Sequence, residues 1–394
     1  MKNLGIAVCA ASSIALGSLI PFHSANAFDP TGNPVADAFL ALLEAEDGKV
    51  DSYGELTESG GRVEIMDIKV SSDASDEDVQ VSIAVTVLNN GTVDDDGRLT
   101  LDGMELKTMT MSSDSGGLDI GSFMATDLVL PSVAEVAASD ELPLSGPSYR
   151  TLEILDVKVT GDEGNTVELD RVFSAIDGMS GDLPTDIRFS LDNVRLDAAS
   201  LDSETEKTLT DLGYDKVAVN VAGAGKWDPD TATADISELI VSGDDVGTIK
   251  LQLTLGGITR DLVDQLNTTG GSPEDAFGLV QGVTIGGLMI DLQNASLVER
   301  VLDMQANDAG MDRAAYVQQL SATLPLMLAV LQNQAFQDKV AGALTAFLND
   351  PISLNVSAAP QNPVPMAQIM GTVMMAPQAL PDILGIEIIA NGAN

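Results

Sequence analysis

The chain has 394 residues, 44% of them hydrophobic, with 60 acidic against 19 basic side chains and a formal net charge of −41. Such a charge repels nucleic acid and anionic headgroups, and so much apolar sequence excludes a disordered acidic tail. The only histidine, His23, and the only cysteine, Cys9, both fall within the first 27 residues.

Those residues carry Lys2, an apolar run from Leu4 to Ile20, and Ala25-Asn26-Ala27. This is the pattern of an export leader cleaved before Phe28, so residues 1–27 are expected to be a signal peptide and the mature protein to be periplasmic. Removing Lys2, the leader's one charged side chain, takes the net charge from −41 to −42. A mature chain without His or Cys can form no disulfide, thiolate nucleophile, Ser-His-Asp triad, or His- or Cys-held zinc, copper or haem site. No cofactor, no metal and no nucleic-acid partner are expected.

Asn33-Pro34 predicts a helix, as cap and first-turn proline, running through AFLALLEA to about Glu46. A strand follows in VEIMDIKVS, where Met66, Ile68 and Val70 alternate with Asp67 and Lys69. Its echo LEILDVKVT places Leu155, Val157 and Val159 around Asp156 and Lys158. Val63, Ile65 and Ile154 fall on the opposite parity, which predicts strands that begin buried on both faces. LTLDGMEL, FSLDNVRL and IDLQNASL predict strands that stop at Gly103, Asn193 and Asn294 and turn before Leu106, Leu196 and Leu297 re-enter the core. Acidic turns separate the strands: SSDASDED, NNGTVDDDG, GDEGN, WDPD and GDDVG. Hairpin chemistry explains them, and the EF-hand pattern fails where Thr92 and Gly103 replace acidic ligands.

Further helices are predicted over Glu168 to Ile176, Glu204 to Leu212 and Arg260 to Leu266. Ser296 and Glu299 spell a capping box, after which helical periodicity persists to Leu348, divided at Pro325 and Asn333. The apolar run Leu324 to Leu331 is too short to cross a bilayer and is assigned to the core, so no transmembrane helix is expected in the mature chain. A strand ISLNVSA, a Met-rich helix from Met366 to Ala376 and a final strand GIEIIAN close the chain. Met370 and Met374 belong either to ordinary core or to an adaptable hydrophobic lining.

VKVTGDEGNTVEL returns as LIVSGDDVGTIKL, a second copy of strand, acidic turn and strand. The predicted architecture is mainly β with α: an elongated antiparallel sheet of about three related repeats (near 62–131, 150–212 and 227–297), with short helices on it. The β-rich region covers 28–297, and a mainly helical segment with closing strands covers 298–394. Together with LGYDKVAVNVAGAGKWDPDTATADI and GTIKLQLTLGGI, these elements resemble uncharacterised periplasmic proteins of proteobacteria. More remotely, the chain is similar to YdgA-like and AsmA-like envelope proteins, whose long sheets curl into a groove. With such a groove, the apolar alternation, the helical lid and the Met-rich segment predict a non-enzymatic protein holding a lipid-like ligand in it, lined by Met66, Ile68, Val70, Leu155, Val157, Val159, Met370 and Met374. The alternative is a structural or protein-interaction module of the envelope, with an envelope protein as partner and no small-molecule ligand.

Overall fold

A computed structural model describes residues 28–45, 48–72, 78–137, 149–161, 164–268 and 278–392. The expected leader lies outside them, as do residues 73–77 and 162–163 of two acidic turns. The fold is mainly antiparallel β-sheet with short helices and a helix-rich C-terminal part, the expected class. Contacts divide the chain into two compact units, residues 1–184 with 189–202, and residues 185–188 with 203–394. The expected boundary stood at residue 297.

The first unit contains α1 (Pro34–Glu44), β1 (Gly48–Ser52), β2 (Leu56–Ser59), β3 (Arg62–Ser72), β4 (Val79–Asn89), β5 (Thr92–Val93), β6 (Leu99–Ser113), β7 (Gly116–Leu130), α2 (Val133–Ala137), β8 (Thr151–Gly161), β9 (Thr166–Ser180) and most of β10 (Leu183–Asp197). Strands β3, β4, β6, β7, β8 and β9 pair in succession, β1 and β2 both join β3, and β5 joins β6.

A crease crosses this sheet. On β3 the buried residues are Val63, Ile65, Ile68 and Val70, so the alternation slips by one residue between Ile65 and Ile68. Asp67 makes the slip by taking a left-handed conformation, φ 50°. Asp156 does the same on β8 (φ 55°) between Ile154 and Val157, and Thr108 on β6 (φ 51°) between Leu106 and Met109. Asp is among the few residues with a side chain that enter this region at modest cost, whereas β-branched Thr is strained there. Asp67 lies opposite Ala84, Thr108 opposite Gly121, and Gly121 opposite Asp156 in the unbroken register. Gly121 is required, because a Cβ there would stand 2.8 Å from that of Asp156.

Because neighbouring strands slip at the same line, two continuous rows flank it on one face. One is Ile65, Thr86, Leu106, Phe123, Ile154 and Val172. The other is Ile68, Ile83, Met109, Ile120, Val157 and Leu169. Strands that start buried on both faces were expected; instead the left-handed step keeps both parities on one face. Helix α1 packs on the part of the first unit formed by β1, β3, β5 and β6. Asn33 caps it by accepting from the N–H groups of Val35 (3.0 Å) and Ala36 (3.1 Å), and Ala36, Phe39 and Leu40 are sealed in the core. Each such large side chain contributes roughly 1.5–3 kcal/mol.

The slip also explains one wrong helix. Residues 168–176 lie in β9, where Leu169, Val172 and Ala175 are buried at intervals of three through successive slips, imitating a helical period. Likewise β6 and β10 do not stop at Gly103 and Asn193 but pass through them, Asn193 with φ 56°.

The second unit contains α3 (Ser203–Asp211), β11 (Lys216–Asp228), β12 (Thr233–Gly243), β13 (Gly247–Gly256), α4 (Arg260–Thr268), β14 (Thr284–Asn294), α5 (Leu297–Asp308), α6 (Arg313–Leu328), α7 (Gln334–Asn349), β15 (Ser353–Ala358), β16 (Val364–Pro365), α8 (Met366–Met375), α9 (Leu380–Leu384) and β17 (Ile386–Ala390). Strands β11 to β15 pair in order, β16 joins β14, and β17 joins β15. Here the register does shift, at β-bulges near Ser237 and Glu238 on β12 and at Gly286 on β14.

Two C-terminal expectations change. The capping box does not form: Ser296 Oγ accepts from Arg300 Nε (2.9 Å), while Asn294 Oδ1 accepts from the Val298 N–H (3.0 Å) and Asn294 Nδ2 donates to Glu299 (2.6 Å). Pro325 does not divide the helices but lies inside α6, near enough to its end that the helix survives the lost backbone bond; Asn333 does begin α7, as its cap.

Candidate functional site: an open apolar sheet face

Strict alternation on β13 sends Ile249, Leu251, Leu253 and Leu255 to one face and Lys250, Gln252 and Thr254 to the other. The pairing extends the apolar side into rows. Val221, Val241, Ile249, Leu292 and Leu354 form one across β11, β12, β13, β14 and β15. Leu239, Leu251, Ile290, Val356 and Ile388 form the next, ending on β17. Its reverse carries Lys250, Asp291 and Asn355 between Ile240 and Ile389, with Asp291 accepting from Gln293 (2.8 Å) and Asn355 (3.3 Å).

None of these row residues is fully buried: Val241 is 41% and Ile249 47% exposed, and the others are half-buried. One end of the face is closed, where Leu288, Ala358, Val364 and Ile386 pack with Ile369 of α8 and with Leu380, Ile383 and Leu384. Helix α7 meets β17 with Lys339 bridging Glu387 (3.5 Å), a residue of the reverse side.

The opposite end is framed by Arg300. Its guanidinium stacks over Tyr214 at 4.2 Å, donates to the carbonyls of Leu212 (3.1 Å) and Gly213 (2.8 Å), and pairs with Asp245 (3.2 Å) in the β12–β13 turn. This ties α5 to the turn that joins Val241 to Ile249. The result is an apolar surface a few side chains wide, bounded by an aromatic-cation pin and a small core.

The groups that titrate abnormally lie elsewhere and serve turns and pins. In the first unit, Arg98 donates to Glu135 and the Ser132 N–H donates to the same carboxyl, which together hold it down at about 2. Asn193 and then Arg195 lower Asp170, and the Thr231 hydroxyl with two backbone N–H groups lowers Asp228 in the hairpin turn. Every one of these carboxyls moves down, the direction of a stabilised carboxylate and the reverse of what a general acid needs. Among the described residues no group of three His, Cys, Asp or Glu could hold a metal ion.

The sequence-derived lining does not assemble into one surface. Ile68, Val70 and Val157 sit in the packed core of the first unit, Met66 and Leu155 are half-buried there, and Val159 is exposed. Met370 is half-buried on α8 of the second unit, and Met374 projects at its end, 85% exposed. The residues that do share an open face went unnamed. Their signal was available in GTIKLQLTL, which alternates without a slip, but whether a strand's apolar face is covered is decided by distant chain.

The class defined by this fold is a predominantly antiparallel β protein with short helices and a helix-rich C-terminal part. A family model described as "Uncharacterized protein" matches residues 240–391, which run from β12 through β17 and contain most of the open face. No curated protein matches the chain.

Proposed function

We propose that this is a non-enzymatic, exported protein that binds a lipid-like hydrophobic molecule on the apolar face of its second unit. The observation that carries the reading is that face, with Val241, Ile249, Leu251 and Ile290 arrayed in register and none of them fully buried. Isolated exposed apolar residues are ordinary, whereas contiguous rows of them mark a site. An acyl chain needs a strip of aliphatic side chains and few polar contacts, and these rows supply the strip.

The export-leader pattern supports a periplasmic setting, and the resemblance to AsmA-like proteins, whose sheets curl into a groove, points the same way. The first unit, whose comparable rows are sealed, serves in this reading as a rigid partner module.

Titration with a fluorescent polyene fatty acid tests the proposal. The chain from Phe28 is expected to enhance the probe's emission saturably, and Ile249→Asp to weaken binding by about tenfold or more, because a carboxylate would be desolvated beneath the ligand. Absence of saturable binding would leave the envelope interaction module as the better reading.

A further inference from the structure

A second apolar feature lies outside the sheet face. The run Leu324 to Leu331, expected in the core, is instead on the surface: Leu326 is 79%, Met327 67% and Val330 72% exposed. The end of α8 is equally bare, with Val373 51%, Met374 85% and Met375 87% exposed. The two are neighbours, since Asn333, just beyond the first group, donates to the carbonyl of Gln378, just beyond the second (2.9 Å). They form one apolar tip.

The tip is also uncharged far beyond its exposed residues. No Asp, Glu, Lys or Arg occurs from Ala314 to Gln337 or from Pro351 to Pro381. One residue in five of the chain is charged, so the second stretch alone would ordinarily hold about six. Gln332, Asn333, Thr372 and Gln378 surround the tip with neutral polar groups.

We infer that this tip inserts into the surface of a neutral or zwitterionic lipid layer. A protein partner requires an uncharged centre but accepts a charged rim, and its anchors are commonly Trp, Tyr or Arg, none of which lies among the six tip residues. A lipid interface penalises charge throughout its depth, which matches neutrality extending along both segments. A second copy of this chain would bring another −41 against the first. The same charge selects neutral over anionic lipid.

Helix α6 with the turn that follows it, Arg313–Leu331, is long and apolar enough to cross a membrane, and of its residues only Val317 is buried. Its contacts with α5 and α7 hold it on the second unit, so insertion is confined to its end.

Cosedimentation of the chain from Phe28, which carries every described residue, with phosphatidylcholine vesicles tests this. Binding is expected, to weaken when the vesicles are enriched in phosphatidylglycerol, and to fall about tenfold or more in Leu326→Asp with Met374→Asp. Circular dichroism checks that this variant folds, and Val330→Asp with Met375→Asp replaces it if it does not. The inference stands apart from ligand binding on the sheet, because Ile249→Asp is expected to leave vesicle binding unchanged. No binding to phosphatidylcholine, or binding that both double variants retain, would overturn it. Self-association abolished by those variants, without vesicle binding, would reassign the tip to contact between copies.

Discussion

The two units build their strands from the same material and finish them differently. In the first, left-handed residues at Asp67, Thr108 and Asp156 mark a crease that neighbouring strands share, so the register holds while both apolar parities collect on one face and join a buried core to which α1 contributes. In the second, bulges on β12 and β14 flank an unbroken β13, and the rows through Ile249 and Leu251 stay open. Alternation brings apolar side chains to one side of a sheet; a covering element decides whether that side becomes a core or a surface for something else.

Truncation should expose this difference most strongly. Ile68→Ala is expected to cost the first unit about 2–5 kcal/mol, since its surroundings are closed and leave a cavity. Ile249→Ala, already in contact with solvent, should cost less than about 1 kcal/mol. Urea unfolding separates them, with far-UV circular dichroism for the whole chain and the single tryptophan, Trp227, reporting on the second unit. Equal losses would mean that the rows are equally packed.

The crease itself comes next. Asp156→Val places a β-branched residue at φ 55° and should destabilise by about 1–3 kcal/mol, whereas Asp156→Gly should be close to neutral. If valine is tolerated, the crease is a consequence of the fold and not one of its determinants. Thr86 offers the opposite sign. It is the one polar residue in its row, fully buried, and its hydroxyl has no partner, so Thr86→Val should stabilise by about 1 kcal/mol.

The smallest effect concerns acid. Glu135 is held below its ordinary pKa in the folded chain, so the pair with Arg98 is fully stabilising above about 4.5 and is lost as pH falls toward about 2. Glu135→Gln should remove that pH dependence from the anchoring of α2 while leaving the second unit's acid response unaltered. Hydrogen exchange of the α2 amides across that range measures it.

Much of this was legible in the sequence. The cap at Asn33, the hairpins around GDEGN and GDDVG, the helix over Met366–Met375 and the last strand follow from local rules that tertiary packing left intact. Residues 168–176 misled because slips spaced Leu169, Val172 and Ala175 as a helix would. The tip misled because an apolar run reads as core by default, and only the folded chain shows Met327 facing out. The open face was missed for the same reason in reverse: Ile249 and Ile68 look alike in their strands, and only the packing around each distinguishes their fates.

The central claim, that the second unit's open face holds a lipid-like molecule, is tested most directly by native mass spectrometry of the chain purified from its own cells without detergent. The account predicts a stoichiometric adduct that extracts into organic solvent and is absent from the Ile249→Asp variant. A clean unliganded mass that persists after incubation with envelope lipids would contradict it.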